Sequence, residues 1–237
     1  MTVRTRECSG ADVAAVTAVI ADPTRAAILD ALMDGSTRRA GDLAVRSGVA
    51  ASTASDHLAQ LLTVGLVVCE SEGRERHFRL ASPAVADAIE ALARIAPAVE
   101  VRSLRGAERT AAMRTARTCY DHLAGRLGVG LTEALVARRA LVVRDGSYDL
   151  TTTGERTLVS IGVDVSAARA SQRSFARSCL DWTERRPHLA GALGAALAEA
   201  LLSQGWVERR ANDRGLRVTS SGTGELRRLG MELDAVS

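Results

Sequence analysis

Residues 11–20 (ADVAAVTAVI) carry apolar side chains densely enough for a buried helix. The following stretch, ADPTRAAILDALMDG, sets Ile28, Leu29, Leu32 and Met33 in an i, i+1, i+4, i+5 stripe, the signature of an amphipathic helix. Asp22 stands where an N-cap belongs and Gly35 where the helix stops. Pro23 falls at the first helical position, where its missing N–H leaves nothing unsatisfied. A short helix ending at Gly48 follows in TRRAGDLAVRSG, then another in AASTASDHLAQLLTVG, with Leu58, Leu61 and Leu62 inward and Gly65 closing it. LVVCESEGRERHFRLAS reads as two strands turning at Glu72-Gly73, and SPAVADAIEALARIAP as a helix stopped near Pro97.

Two short helices joined by a tight turn make a helix-turn-helix candidate, and with the hairpin that follows they resemble a winged helix-turn-helix. The order and several local motifs resemble the ArsR/SmtB family of bacterial repressors over about residues 10–97. The resemblance is carried by Asp22-Pro23-Thr24-Arg25, by Asp42-Leu43-Ala44, by Ser52-Thr53-Ala54-Ser55-Asp56-His57-Leu58 and by Gly73-Arg74-x-Arg76. It implies DNA binding as a homodimer, with the first and last helices of the domain packed across a two-fold axis. Two recognition helices would then meet successive major grooves of an inverted repeat, about 34 Å apart.

The second half of the chain repeats itself. HLAGRLGVGLTEAL (122–135) matches HLAGALGAALAEAL (188–201) at ten of fourteen positions, an offset of 66 residues. ARTCYD (116–121) matches ARSCLD (176–181) at an offset of 60, and Thr151 and Gly154 match Thr219 and Gly222 at an offset of 68. The offsets imply six extra residues around WTERRP and two more in a later hairpin. Each copy reads as helix, helix, two short strands turning at Asp145-Gly146 or Asp213-Arg214-Gly215, then helix. The expected architecture is therefore mainly α with small β-hairpin wings: a winged helix at 1–98, an Arg-rich linker at 99–115, and a duplicated domain at 116–237 with repeats about 116–163 and 176–232.

Composition changes this picture little. The 237 residues suit two domains, and aromatic residues are only 3%, so the cores must be aliphatic. All 31 basic residues are Arg, which follows from a GC-rich coding sequence as readily as from phosphate recognition. Residues 1–98 hold 10 Arg against 12 Asp and Glu, so net charge alone does not mark this half as DNA-binding. Cys8, Cys69, Cys119 and Cys179 form no close pair, and no disulfide framework or zinc knuckle is legible. With no long apolar segment and no signal-peptide core, a soluble, cytoplasmic protein without a membrane partner is expected.

For DNA, the recognition helix offers Ser52, Thr53, Ser55, His57 and Gln60 to bases and phosphates. Arg74 and Arg76 on the wing and Arg38 and Arg39 before the third helix suit phosphates, which position without specifying sequence. Two residues depart from the family pattern: Ala50 where a capping Ser or Thr is frequent, and Asp56 where a basic or neutral residue is common. Asp56 costs affinity against phosphates unless it accepts from a cytosine amine or pairs with Arg.

The family's familiar metal positions are occupied by Arg39, Ala40 and Gly41 in one class, and in the other only Asp87 and Glu90 remain. Effector residues are therefore expected in the duplicated half: Cys119, Tyr120, Asp121 and His122, with Cys179, Asp181, Trp182 and His188. On a helix, Cys119 and His122 would share a face, but Cys179 and His188 lie nine apart, which breaks that geometry and argues against a metal. Alternatives are a thiol switch assisted by Arg117 and Arg177, plain buried thiols, and a pocket for a small organic effector lined by Tyr120, His122, Trp182 and His188. No HExxH, GxSxG or P-loop pattern occurs, and neither a catalytic group nor a cofactor is expected. The function implied is a transcriptional repressor released by an effector. The alternative is an interaction protein whose C-terminal repeats bind a partner while the winged helix tethers it to DNA.

Overall fold

The structure, a computed structural model, describes residues 10–73, 75–97, 100–101, 103–211 and 213–232. The chain forms two compact units, one of residues 1–32 and 36–82 and the other of 33–35 and 83–237.

In the first unit the elements run α1 (Val13–Ile20), α2 (Pro23–Leu32), β1 (Arg38–Arg39), α3 (Ala40–Ser47), α4 (Ala51–Thr63), β2 (Val67–Glu72) and β3 (Glu75–Leu80). Asp22 Oδ1 accepts from Arg25 N at 3.0 Å, so the α2 cap forms as its sequence suggests. Gly48 and Gly65 end α3 and α4 with φ of +72°, a left-handed conformation cheap only for glycine. Ile28, Leu29, Leu32, Leu43, Leu58, Leu61, Phe78 and Leu80 make a core with exposures of 2% or less. β1, β3 and β2 form an antiparallel sheet in that order. This is the expected winged helix-turn-helix. One expectation is corrected: α1 buries none of its residues in the chain, although it is almost wholly apolar.

The second unit opens with α5 (Pro83–Ile95) and α6 (Leu104–Thr115). Then come β4 (Arg117–Cys119), β5 (His122–Ala124), α7 (Gly125–Ala137), β6 (Leu141–Arg144), β7 (Ser147–Leu150) and α8 (Thr152–Ser160). After α9 (Val165–Ala170) the order recurs as β8 (Arg177–Leu180), β9 (Pro187–Ala190), α10 (Gly191–Ser203), β10 (Val207–Arg209), β11 (Leu216–Val218) and α11 (Ser220–Arg228).

Three expectations change here. In the stretch expected as an Arg-rich linker that turns helical towards Cys119, the helix starts early, as α6, capped by Ser103 Oγ accepting from Gly106 N at 3.1 Å, and ends at Thr115. The helix α5, read with the N-terminal domain, packs within the second unit, where Glu90 is buried against Arg214 at 2.5 Å. The leading segment of each C-terminal half is a β-hairpin rather than a helix, because its short strands find partners far away in sequence. Thr118 N donates to Arg214 O at 2.9 Å, and at corresponding positions Ser178 N donates to Gly146 O at 3.3 Å. Leu216 N donates to Ala116 O at 2.8 Å, and Tyr148 N to Ala176 O at 2.9 Å. Each wing thus completes the other half's leading hairpin, giving the four-stranded sheet β6-β7-β8-β9 and a bridge between Arg117 and Gly215.

The helices cross over in the same way, α7 packing on β9 and α10 on β5. Leu127, Leu131 and Leu135 of α7 join Leu193, Leu197 and Leu201 of α10 in one core. The internal glycines of α7 and α10 serve close approach, largely within their own half. A Cβ on Gly128 would stand 2.3 Å from Leu123 O, and one on Gly194 would stand 2.7 Å from Leu189 O and 3.3 Å from His122 Cβ.

Candidate functional site

The N-terminal turns of α4 expose Ser52, Thr53, Ser55 and Asp56, while Ala54, Leu58 and Leu61 hold the helix on the core. Ala50 gives α4 no side-chain cap, so its first N–H groups remain free to meet an anion. Two expected contact residues instead face α2. Gln60 Oε1 accepts from Arg25 at 2.7 Å, and His57 Nδ1 lies 3.4 Å from the same guanidinium and 3.7 Å from Asp22. Arg25 in turn donates to the carbonyl of Val19 and bonds that of Ala18 at 3.3 Å, so this cluster fixes α4 against the preceding helices.

Arg39 is exposed and pairs with Glu75 at 2.7 Å. Arg38 donates to Ala31 O at 3.0 Å and is partly buried. On the wing, Arg76 stacks over Phe78, 5.3 Å from the ring centroid; Arg74 lies outside the described residues. An exposed helix face of short polar side chains, with the exposed Arg39 and Arg76 flanking the helix in sequence, defines a winged-helix DNA-binding regulator.

The family model and the sequence relatives agree with that class. Residues 22–68 match the family described as bacterial regulatory protein, arsR family. An uncharacterized HTH-type transcriptional regulator of Bacillus subtilis (strain 168), YdfF, is 40% identical over 211 residues, covering 89% of this chain and 93% of the relative. The HTH-type transcriptional regulator CmtR of Mycobacterium bovis is 41% identical over 92 residues, covering 39% of this chain and 77% of that protein. Among solved structures, the cadmium metal-sensor CMTR from Mycobacterium tuberculosis shares 38% identity, with a TM-score of 0.32, over 38% of this chain and 94% of that one. The chain belongs to the arsR family and is a transcriptional regulator.

The second unit holds a different constellation. Cys119 and His122 are direct cross-strand partners in β4 and β5, and Cys179 and His188 are direct partners in β8 and β9. The spacing argument against a metal set therefore fails for a physical reason. In a hairpin the six extra residues lengthen the loop and leave the strand register untouched, whereas on a helix they would rotate His188 away. One ligand atom from each of the four residues lies within 4.8 Å of all the others. The two Sγ atoms are 3.9 Å apart and the imidazole centroids 5.1 Å. All four side chains are buried, Cys179 being the most exposed at 7%.

His122 Nε2 and both ring nitrogens of His188 find no hydrogen-bond partner among the described residues, although both rings face the Cys179 sulfur. A buried polar group left so costs about 1–3 kcal/mol. Behind each ring stands an aspartate at corresponding positions, with Asp121 Oδ1 3.4 Å from His122 Nδ1 and Asp181 Oδ2 3.8 Å from His188 Nδ1. The Cys119 thiol beside it draws the Cys179 pKa down against the cost of burial, with His122 and His188 helping. Cys119 is pushed up by that same neighbour and by burial. Burial opposes a charge on His122, but Asp121 and the Cys179 sulfur together raise its pKa.

The remaining expected effector residues surround this cluster. Asp181 is wholly buried and accepts from Arg117 at 2.8 Å, Gly125 N at 2.7 Å, and Thr183 N and Oγ1 at 2.8 and 2.6 Å. Burial resists its charge, yet Arg117 and these donors hold its carboxyl below the ordinary range. Arg117 thus serves Asp181 rather than the Cys119 thiol, and its guanidinium lies over the Trp182 ring at 4.9 Å. Asp121 is paired with Arg173. Tyr120 takes the hairpin turn with a φ of +61°.

Proposed function

We propose that the chain is a homodimeric repressor that binds an inverted-repeat operator through α4 and is released by an effector held in the second unit. The observation that carries the DNA reading is the exposed row Ser52, Thr53, Ser55 and Asp56 on a helix whose other face is buried and whose far turns are fixed through His57 and Gln60. These four residues, with Arg39, Arg76 and Arg74, supply the contacts; Arg38 supports β1. Dimerisation through α1 is supported by its unburied apolar surface, with Val13 64% exposed, and by the arrangement that the family resemblance implies.

The second unit is read as a duplication, organised as winged-helix-like repeats whose leading helix has become a hairpin. The reciprocal hydrogen bonds at offsets of 60 and 68 residues support it, since two unrelated segments would not exchange the same bonds in both directions. The domain boundaries of this reading follow the duplication, with repeats at about 116–163 and 176–232.

Fluorescence anisotropy of the full chain on duplex fragments from upstream of its own coding sequence tests the proposal. One fragment should bind at least about 10³-fold tighter than random duplex at the same salt. Uniform affinity across fragments would remove specific recognition and favour the tether.

A further inference from the structure

We infer that Cys119, His122, Cys179 and His188 form a tetrahedral site for a Zn²⁺-type ion that joins the two leading hairpins of the second unit. This goes beyond the DNA reading and does not depend on it.

The donor set fits such an ion closely. Two thiolates and two imidazoles are a soft and borderline set, which selects Zn²⁺ over Mg²⁺ or Ca²⁺. With metal–sulfur bonds of about 2.3 Å, a tetrahedron sets its two sulfurs about 3.8 Å apart, and the observed separation is 3.9 Å. The four ligand atoms already lie within 4.8 Å of one another, so the ion enters with side-chain adjustment alone.

His122 presents Nδ1 to Asp121 at 3.4 Å, which leaves Nε2 for the metal and fixes its tautomer, the carboxylate–histidine arrangement that orients zinc ligands. Asp181 stands at the corresponding place 3.8 Å from His188 Nδ1, beyond hydrogen-bond distance. Both aspartates are themselves held, Asp121 by Arg173 and Asp181 by Arg117.

A disulfide between the two Cys would explain the short sulfur distance but not the converging imidazoles, whose buried nitrogens it would leave unsatisfied. A metal satisfies all four groups. On binding, each thiol releases its proton as its sulfur–metal bond forms, and each imidazole binds as the neutral base. The charges of two thiolates and one divalent ion cancel, as a buried site requires. With four protein ligands and no open position, the site is a closed one. An open cavity of about 410 Å³, lined by Asp87, Glu90, Arg177 and Cys179 among others, leads to the Cys179 edge of the cluster.

The test uses the full chain, reduced and stripped of metal by a chelator, with Zn²⁺ and Co²⁺ as probes. Native mass spectrometry should show one Zn²⁺ retained per chain. Co²⁺ should give intense tetrahedral d–d bands with thiolate charge transfer. In Cys119→Ser plus Cys179→Ser the charge transfer should vanish, and His188→Gln should weaken Zn²⁺ retention at least tenfold in a competition with a chromophoric chelator. Because the wild-type spectrum decides by itself, misfolding of a variant does not rescue the inference. A weak octahedral Co²⁺ spectrum, full Zn²⁺ retention without both Cys, or a chain that takes no Zn²⁺ and is two hydrogens lighter through a disulfide would each overturn it.

Discussion

Arg117 donates to Asp181 across 64 residues of sequence, 2.8 Å apart, with both side chains wholly shielded from water. The pair links the first strand of one half to the loop that closes the leading hairpin of the other, and Asp181 also accepts from Gly125 N, where α7 begins. Replacing one partner leaves the other charged and buried without a counter-charge, whereas the intact pair balances its desolvation with its hydrogen bonds. Asp181→Asn should therefore destabilise the chain by about 3–5 kcal/mol, read as a lower urea midpoint at an unchanged slope. A midpoint equal to that of the parent chain would show that water reaches Arg117.

Gly154 and Gly222 test the reciprocity of the two halves. A Cβ at either would stand 2.0 Å from a backbone carbonyl, that of Ala140 or of Trp206. Thr151 and Thr219 cap the two helices alike, each accepting from the glycine N–H at 3.0 Å. Alanine at either position forces the helix off its hairpin, at a cost on the order of 1–3 kcal/mol or more. Thermal melts of the two single variants should fall by similar amounts; a large loss at one position and none at the other would contradict an equivalent role.

On the DNA side, Arg39 and Arg76 are exposed and flank α4 in sequence. Arg39→Ala plus Arg76→Ala should weaken binding to specific and random duplexes alike and lower the salt slope by about one for each phosphate left unneutralised. Thr53→Ala should instead act mainly on the specific site. A salt titration in which the slope stays unchanged in the double variant would take both arginines out of the interface.

Legibility differed between the two units for physical reasons. Asp22, Pro23 and the Ile28, Leu29, Leu32 stripe are local signals, and the helix they announce formed at Pro23–Leu32. The wing hairpin was equally local, its six-residue strands pairing from Val67 with Leu80 to Glu72 with Glu75. By contrast β4 and β5 hold three residues each, too few for a period of two to stand out beside Ala- and Leu-rich helices. The bonds that tie β4 to Arg214 and Gly215, about 100 residues away, are invisible to any local pattern. One signal was available: the same Cys and His recur with spacings of three and nine. A helical face would not survive that change, whereas a hairpin with a longer loop does.

The effector reading and the metal site meet at α5. Arg177, two residues before Cys179 on β8, donates to Asp87 of α5 at 2.5 Å. Arg214 donates to Glu90 of α5 at 2.5 Å and to Thr118 O, beside Cys119, at 3.3 Å. Both Cys-bearing strands are thus attached to one helix, and that helix follows directly on the wing strand β3 in sequence. An ion that locks the two hairpins to each other also fixes both attachments, and it shifts operator affinity only as far as it favours one arrangement of the dimer. Zinc-loaded chain should bind its operator about 5–150-fold more weakly than stripped chain. Arg177→Ala, which leaves only the half-exposed Asp87 without its partner, should retain one Zn²⁺ while losing most of that difference. Equal operator affinity with and without bound Zn²⁺ in the parent chain would leave the ion a purely structural clamp and end its part in release.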